Sequence, residues 1–137
     1  MAYVSSFVYC DTIQIQTTPN GPQHQIINPI QVLIPVGIPS NFSFSISCSI
    51  AGFVFDADHR VEIMFVDPAK KELIKPADIT FNTSKENLQG KNKRVPVITI
   101  NMDLRNVILS TEGTYATIVK LDDEVLGEYK IDVKKAE

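Results

Sequence analysis

The segment Asn41-Phe42-Ser43-Phe44-Ser45-Ile46-Ser47-Cys48-Ser49-Ile50 constrains the fold more than any other part of the chain. Apolar side chains occupy every even position and serines nearly every odd one. A period of two is the repeat of a β-strand, whose successive side chains point to opposite faces. Phe42, Phe44, Ile46, Cys48 and Ile50 are therefore expected on a core, with Ser43, Ser45, Ser47 and Ser49 on the other face. Such a segment belongs to a sheet with one buried side.

The same period returns near the C-terminus. Tyr115, Thr117, Val119 and Leu121 alternate with Thr114, Ala116, Ile118 and Lys120; Val125, Gly127, Tyr129, Ile131 and Val133 alternate with Glu124, Leu126, Glu128, Lys130 and Asp132; and Asp122-Asp123 sits where a two-residue turn belongs. Residues 114–121 and 124–133 are thus predicted to form one antiparallel hairpin. Arg60–Val66 reads as a strand closed by Asp67-Pro68, with Lys71–Lys75 as its return. Val95–Leu104 reads as another, in which Pro96 implies an edge or a bulge. Upstream, Tyr3–Cys10 is a first strand; Ile13 and Ile15 begin a second before the turn-rich Pro19-Asn20-Gly21-Pro22, and Gln25–Ile34 continues after it. Eight or nine short strands predict a single all-β domain over residues 1–137, an antiparallel two-sheet sandwich, with a small barrel as the competing architecture. Leu104, Val107 and Ile108 also have the spacing of one helical turn within Asp103–Ser110, and the polar stretch Ser84–Arg94 reads as an exposed loop.

Composition limits what such a domain does. Thirteen Lys and Arg against 16 Asp and Glu give a net charge of −3, without the cationic excess that grips a nucleic-acid backbone, so no nucleic-acid partner is expected. The N-terminus lacks the features of a secretion signal, which makes a cytoplasmic location the expectation. Ile26–Ile38 is too short to span a bilayer and is cut by Pro29 and Pro35, so no membrane partner is expected either. Cys10 and Cys48 lack metal-site spacing and read as reduced, buried thiols, with a Cys10–Cys48 disulfide as the alternative.

Glu112-Gly113-Thr114-Tyr115, followed by an alternating strand, a tight turn and Glu124–Tyr129, resembles the closing hairpin of immunoglobulin-like sandwiches. The resemblance implies that Tyr115 bonds back to main chain at the strand corner. More broadly, Phe7–Asp11, Ile26–Pro29, Pro39–Phe42, Asp67-Pro68 and Gly113–Tyr115 look like a group of small uncharacterised bacterial and phage proteins. That likeness implies the fold and assigns no activity and no functional residue.

No grouping of residues announces chemistry. His24 and His59 are the only candidate bases for a nucleophilic triad, and both read as solvated loop histidines. Asp56, Asp58, His59 and Asp67 hold oxygen and nitrogen ligands but lack the spacing of a calcium loop, and read as turn and strand caps. Lys85, Lys91, Lys93 and Arg94 form a basic patch without stacking aromatics, and Lys134-Lys135 adds two charges. Gly90, Gly113 and Gly127 are isolated and make no phosphate cradle, and Asn41-Phe42-Ser43 and Asn82-Thr83-Ser84 are read as coincidental sequons. No cofactor or metal is expected.

Two features leave room for binding. The row Ser43, Ser45, Ser47 and Ser49 reads as solvent surface or as the seat of a second sheet or subunit. In Ile30-Gln31-Val32-Leu33-Ile34-Pro35-Val36-Gly37-Ile38 the residues Ile30, Val32, Leu33, Ile34, Val36 and Ile38 fall on both faces, which suggests a central strand covered on both sides or an exposed apolar patch. The reading that follows is a non-enzymatic protein-interaction or structural module, open to self-association. The alternative is a small-ligand or carbohydrate-binding sandwich.

Overall fold

The computed structural model describes residues 2–54, 57–82 and 97–136. Nine strands run in chain order: β1 (Tyr3–Thr18), β2 (Gly21–Pro29), β3 (Val32–Leu33), β4 (Ser40–Ala51), β5 (Asp58–Val66), β6 (Glu72–Asn82), β7 (Val97–Leu109), β8 (Gly113–Leu121) and β9 (Glu124–Val133). They form a four-stranded sheet in the order β2-β1-β4-β7 and a five-stranded sheet in the order β3-β9-β8-β5-β6. This is the expected two-sheet, immunoglobulin-like sandwich. One pair departs from the antiparallel expectation, since β3 lies parallel to β9 through Val32↔Asp132 and Leu33↔Val133. The chain reaches that edge after crossing from the other sheet, so no hairpin imposes an antiparallel direction.

The core lies between the sheets, where Phe44, Ile46, Cys48 and Ile50 of β4 meet Val61, Ile63 and Phe65 of β5 and Tyr115 and Val119 of β8. Phe44 packs edge-on against Phe65 at 5.3 Å between centroids, and Phe65 stacks on Tyr115 at 5.7 Å. The Tyr115 hydroxyl donates to the Thr111 carbonyl at 2.8 Å, which is the corner that the sequence resemblance implied. A second polar link crosses the core: the Tyr9 hydroxyl, on β1, donates to the Tyr129 carbonyl at 2.6 Å and bonds the Thr117 hydroxyl at 2.7 Å.

The turns follow their residues. Asp122 and Asp123 have φ of 52° and 67°, the left-handed pair that matches a two-residue hairpin to strand twist. Asp67 accepts from the N–H groups of Ala69 and Lys71 and closes the β5–β6 turn, after which the return strand runs well beyond Lys75 to Asn82. The helical turn expected over Asp103–Ser110 is absent. Those residues continue β7 through a bulge opposite Phe42–Phe44, with Asn106 at φ 55°. The strand expected from Val95 is described from Val97 onward; Pro96, the Ser84–Arg94 stretch with Gly90 and its basic patch Lys85, Lys91, Lys93 and Arg94, the second sequon's Thr83 and Ser84, and Asp56 all lie outside the described residues.

Candidate interaction surface

Among the described residues, the candidate ligands Asp58, His59 and Asp67 do not converge. Asp58 and His59 open β5 while Asp67 follows its far end, on the order of 25 Å away along an extended strand. Among the described residues no three His, Cys, Asp or Glu side chains are placed to share a metal ion. His59 also departs from the solvated-loop reading, being 6% exposed and packed between the Phe53 and Phe81 rings. Its Nδ1 lies 2.6 Å from the Asp122 carboxylate and its Nε2 2.8 Å from the Val54 carbonyl. Burial opposes a charge on this ring, but the carbonyl of Val54 and the carboxylate of Asp122 outweigh it and lift the imidazole above its ordinary value. Burial would raise Asp122, whereas the bonds from His59 and the Arg60 N–H hold it below the ordinary carboxylate value. With both ring nitrogens committed to acceptors, this is a structural imidazolium that ties the β4–β5 connection to the β8–β9 turn.

The two cysteines occupy opposite faces of the first sheet. Cys48 points into the core, and Cys10, paired in register with Ser45, points outward. Both are buried and free, and their parity on adjacent strands excludes the disulfide alternative. Burial pushes the Cys48 thiol up to about 12, and burial with the nearby carboxylates of Asp11 and Asp103 also raises Cys10.

The serine row is not the open solvent face expected. Ser45 is 2% exposed and Ser47 6%, because the longer side chains of the flanking β7 close over them. Ser45 donates to Asp103 and Ser47 to Asn101, Ser49 shares a hydrogen bond with Thr99, and Ser43 accepts from the Asn106 N–H. These bonds lock β4 to β7, which leaves Ser43 and Ser49 at the margins of the outer face.

The Ile30–Ile38 stretch is likewise not a central strand. It is the crossover between sheets: the Ile30 N–H bonds the Tyr9 carbonyl of the first sheet, and the Leu33 and Pro35 carbonyls accept from Lys134 and Ala136 beside the second. Leu33 is fully buried, Ile30 and Ile38 pack against the core, and Val32 is half-buried. Ile34 and Val36 face solvent, at 53% and 93% exposure. A groove of about 320 Å³ joins Ile34 to Phe42, Asp11 and Asn28, so Ile34 is continuous with the base of the β1–β2 hairpin.

The strands expected on either side of the Pro19–Pro22 turn are present, but the first two expected strands are one, β1, and the pair projects beyond the sheet. β1 pairs with β4 only as far as Cys10↔Ser45, yet it continues with β2 as a two-stranded ribbon to Thr18↔Gly21. From Gln14 to Gln25 the ribbon is exposed on both faces apart from Thr18 and Gly21 at its tip, with Ile15 at 64%. His24 of β2 reaches Asn101 of β7, so the ribbon bends over the outer face of its own sheet and helps to close off Ser47. A charge signal accompanies it. Asp11 is the only Asp, Glu, Lys or Arg among residues 1–55, and every other charged side chain lies from Asp56 onward. The uncharged part builds β1 to β4, whereas the outer face of β5 and β6 carries an ion-pair network of Arg60, Glu62, Lys75 and Asp78.

The chain belongs to a family of unknown function, DUF6941, whose sequence pattern matches residues 5–134. No curated protein matches it. Similar solved structures include an immunoglobulin-like protein from Pseudomonas aeruginosa, at 12% identity and a TM-score of 0.44, covering 98% of this chain and 97% of that one. Another is the Pseudomonas fluorescens alkylpurine DNA glycosylase AlkC, bound to DNA containing an abasic-site analogue, at 10% identity and a TM-score of 0.45, covering 93% of this chain and 30% of that one. At these scores neither carries weight, and the architecture rests on the sheet order and the Tyr115 corner described above.

Proposed function

We propose that this protein is a non-enzymatic interaction module that binds protein through the uncharged side of the sandwich, formed by the β1–β2 ribbon and the crossover beside it. The observation that carries the reading is the coincidence of charge depletion with exposed aliphatic side chains. Ile15, Ile26, Ile34 and Val36 all face solvent, and all lie in the segment that holds no Asp, Glu, Lys or Arg after Asp11. The buried centres of protein interfaces are depleted in charge, while ordinary surface is not. A two-stranded ribbon exposed on both faces is also marginal in water and gains from being covered. The ribbon and the crossover supply no Lys or Arg of their own, and the cations that border them among the described residues lie at the neighbouring β9 end, at Lys130 and Lys134, which disfavours nucleic acid as the partner. Two free, buried thiols accord with a cytoplasmic setting, which is part of the proposal.

The test compares proteins recovered with the tagged wild type and with Ile26→Lys/Val36→Lys, both positions being exposed enough to accept lysine without unfolding the sandwich. The reading expects a partner, whether another protein or an untagged copy, that the wild type retains and the variant loses. Identical recovery by the two would overturn it.

A further inference from the structure

Resting on that reading, we infer that the partner of the ribbon is a second copy of this chain, joined through the free edge of β2 into a continuous eight-stranded sheet across a two-fold axis at Gln25.

The edge is set up by the turn. A two-residue loop makes Thr18 and Gly21 a hydrogen-bonded pair, so Gln23 and Gln25 exchange main-chain bonds with Gln16 and Gln14 in β1. Pro22, which has no N–H to give, falls on a position between those bonds. His24 and Ile26 then turn their N–H and C=O groups away from β1, where no strand follows among the described residues. An antiparallel second copy centred on Gln25 places His24 opposite Ile26 of its partner and Ile26 opposite His24, giving about four main-chain hydrogen bonds. Because the same residues meet on both sides, the contact closes on itself and stops at two chains.

The other edges carry the devices that discourage pairing. β6 has Pro76 with Lys75 and Asp78 beside it and register shifts against β5, β7 has Asp103, Arg105 and the bulge at Asn106, and β3 is two residues long. From Gly21 to Pro29 β2 has no charged side chain, so two copies approach antiparallel without like-charge repulsion. The exposed Ile26 lies at the joint, beside His24 of the second copy.

Light scattering and sedimentation on the full chain test this directly. The wild type is expected at twice 15.3 kDa. Ile26→Pro removes one outward N–H per chain and no bond to β1; losing two of four bonds weakens the dimer by about thirtyfold. Gln25→Lys, at an exposed site, sets two ammonium groups face to face and is expected to give monomer with the wild-type circular dichroism spectrum. A monomeric wild type at millimolar concentration, or a dimer that survives Gln25→Lys undiminished, overturns the inference. Co-expression of tagged and untagged copies separates this failure from that of the module reading: a ribbon-dependent partner other than this chain overturns the inference alone, and no ribbon-dependent partner overturns both.

Discussion

Replacing Tyr9 by Phe isolates the polar link between the two sheets. The Tyr9 ring is 7% exposed and Thr117 fully buried, and the hydroxyl bonds both the Thr117 hydroxyl and the Tyr129 carbonyl at 2.7 and 2.6 Å. The substitution keeps the ring and its packing against Phe7 and Phe44, so cavity formation contributes little. Two hydrogen bonds at about 1 kcal/mol each are lost, and a buried Thr117 hydroxyl loses its partner, so a destabilisation of about 2–3 kcal/mol is expected. For a domain of this size that corresponds to a melting point lower by roughly 6–10 °C. A double-mutant cycle with Thr117→Val sharpens the test, because removing both hydroxyls leaves neither unsatisfied. The double variant should be more stable than the sum of the single changes by about 1 kcal/mol, read from urea unfolding. Additivity within error, or a cost for Tyr9→Phe below about 0.5 kcal/mol, would refute the assignment of this bond as a buried link between sheets.

Other outcomes follow from the same geometry. The His59 imidazolium is favoured in the folded state, so its contribution is complete below the ordinary 6.5 and is lost as pH rises through its raised folded value; Asp122, held low, contributes above its ordinary 3.8 and loses this as pH falls. Urea midpoints should therefore drop as pH rises from the ordinary 6.5 through the raised folded value, and His59→Gln should flatten that limb; an unchanged slope contradicts the imidazolium assignment. Gly113 has φ 143° and a Cβ added there would lie 2.9 Å from Pro68 Cγ, so Gly113→Ala should cost about 1–3 kcal/mol, with partial recovery on adding Pro68→Ala. Thiol titration should find two reactive groups in denaturant and none promptly in the native protein at neutral pH.

The parts of the fold that were legible in the sequence are those where one strand face is buried along its whole length. β4 and β8 keep strict alternation because each faces the opposite sheet, and Asp122-Asp123 carries its turn type in its residues; in β9 the expected row holds from Gly127 to Val133, but a bulge opposite Val119–Lys120 turns Leu126 to the core and leaves Val125 54% exposed. The apparent helical turn had a specific cause. Met102 and Leu104 face the core, the bulge inserts one residue, and Val107 and Leu109 face it again, so a gap of three within a strand imitates helical spacing. At the crossover, consecutive residues rotate from core to solvent as the chain changes sheets, and Leu33 beside Ile34 then reads like a strand buried on both faces. His59 was beyond reach because its partner Asp122 is 63 residues away. The burial of Ser45 and Ser47 likewise depends on neighbours supplied by a distant strand. The Pro19–Pro22 turn and its flanking strands were legible, but not their projection beyond the sheet: exposed on both faces, the ribbon has no burial pattern to betray it, and its signal is instead the absence of charge up to Phe55 apart from Asp11.

The joining of two copies at β2 is tested most directly by a single cysteine at the two-fold axis. In the pairing argued above, the Gln25 residues face each other at a non-hydrogen-bonded site with Cα atoms about 4.5 Å apart, within disulfide reach, whereas Gln23 stands opposite Ile27 and the two Gln23 positions are on the order of 13 Å apart. With Cys10 and Cys48 buried, mild oxidation of Gln25→Cys should give one disulfide-linked dimer by intact mass, and Gln23→Cys should remain unlinked. Equal crosslinking at both positions, or none at position 25, would contradict the account.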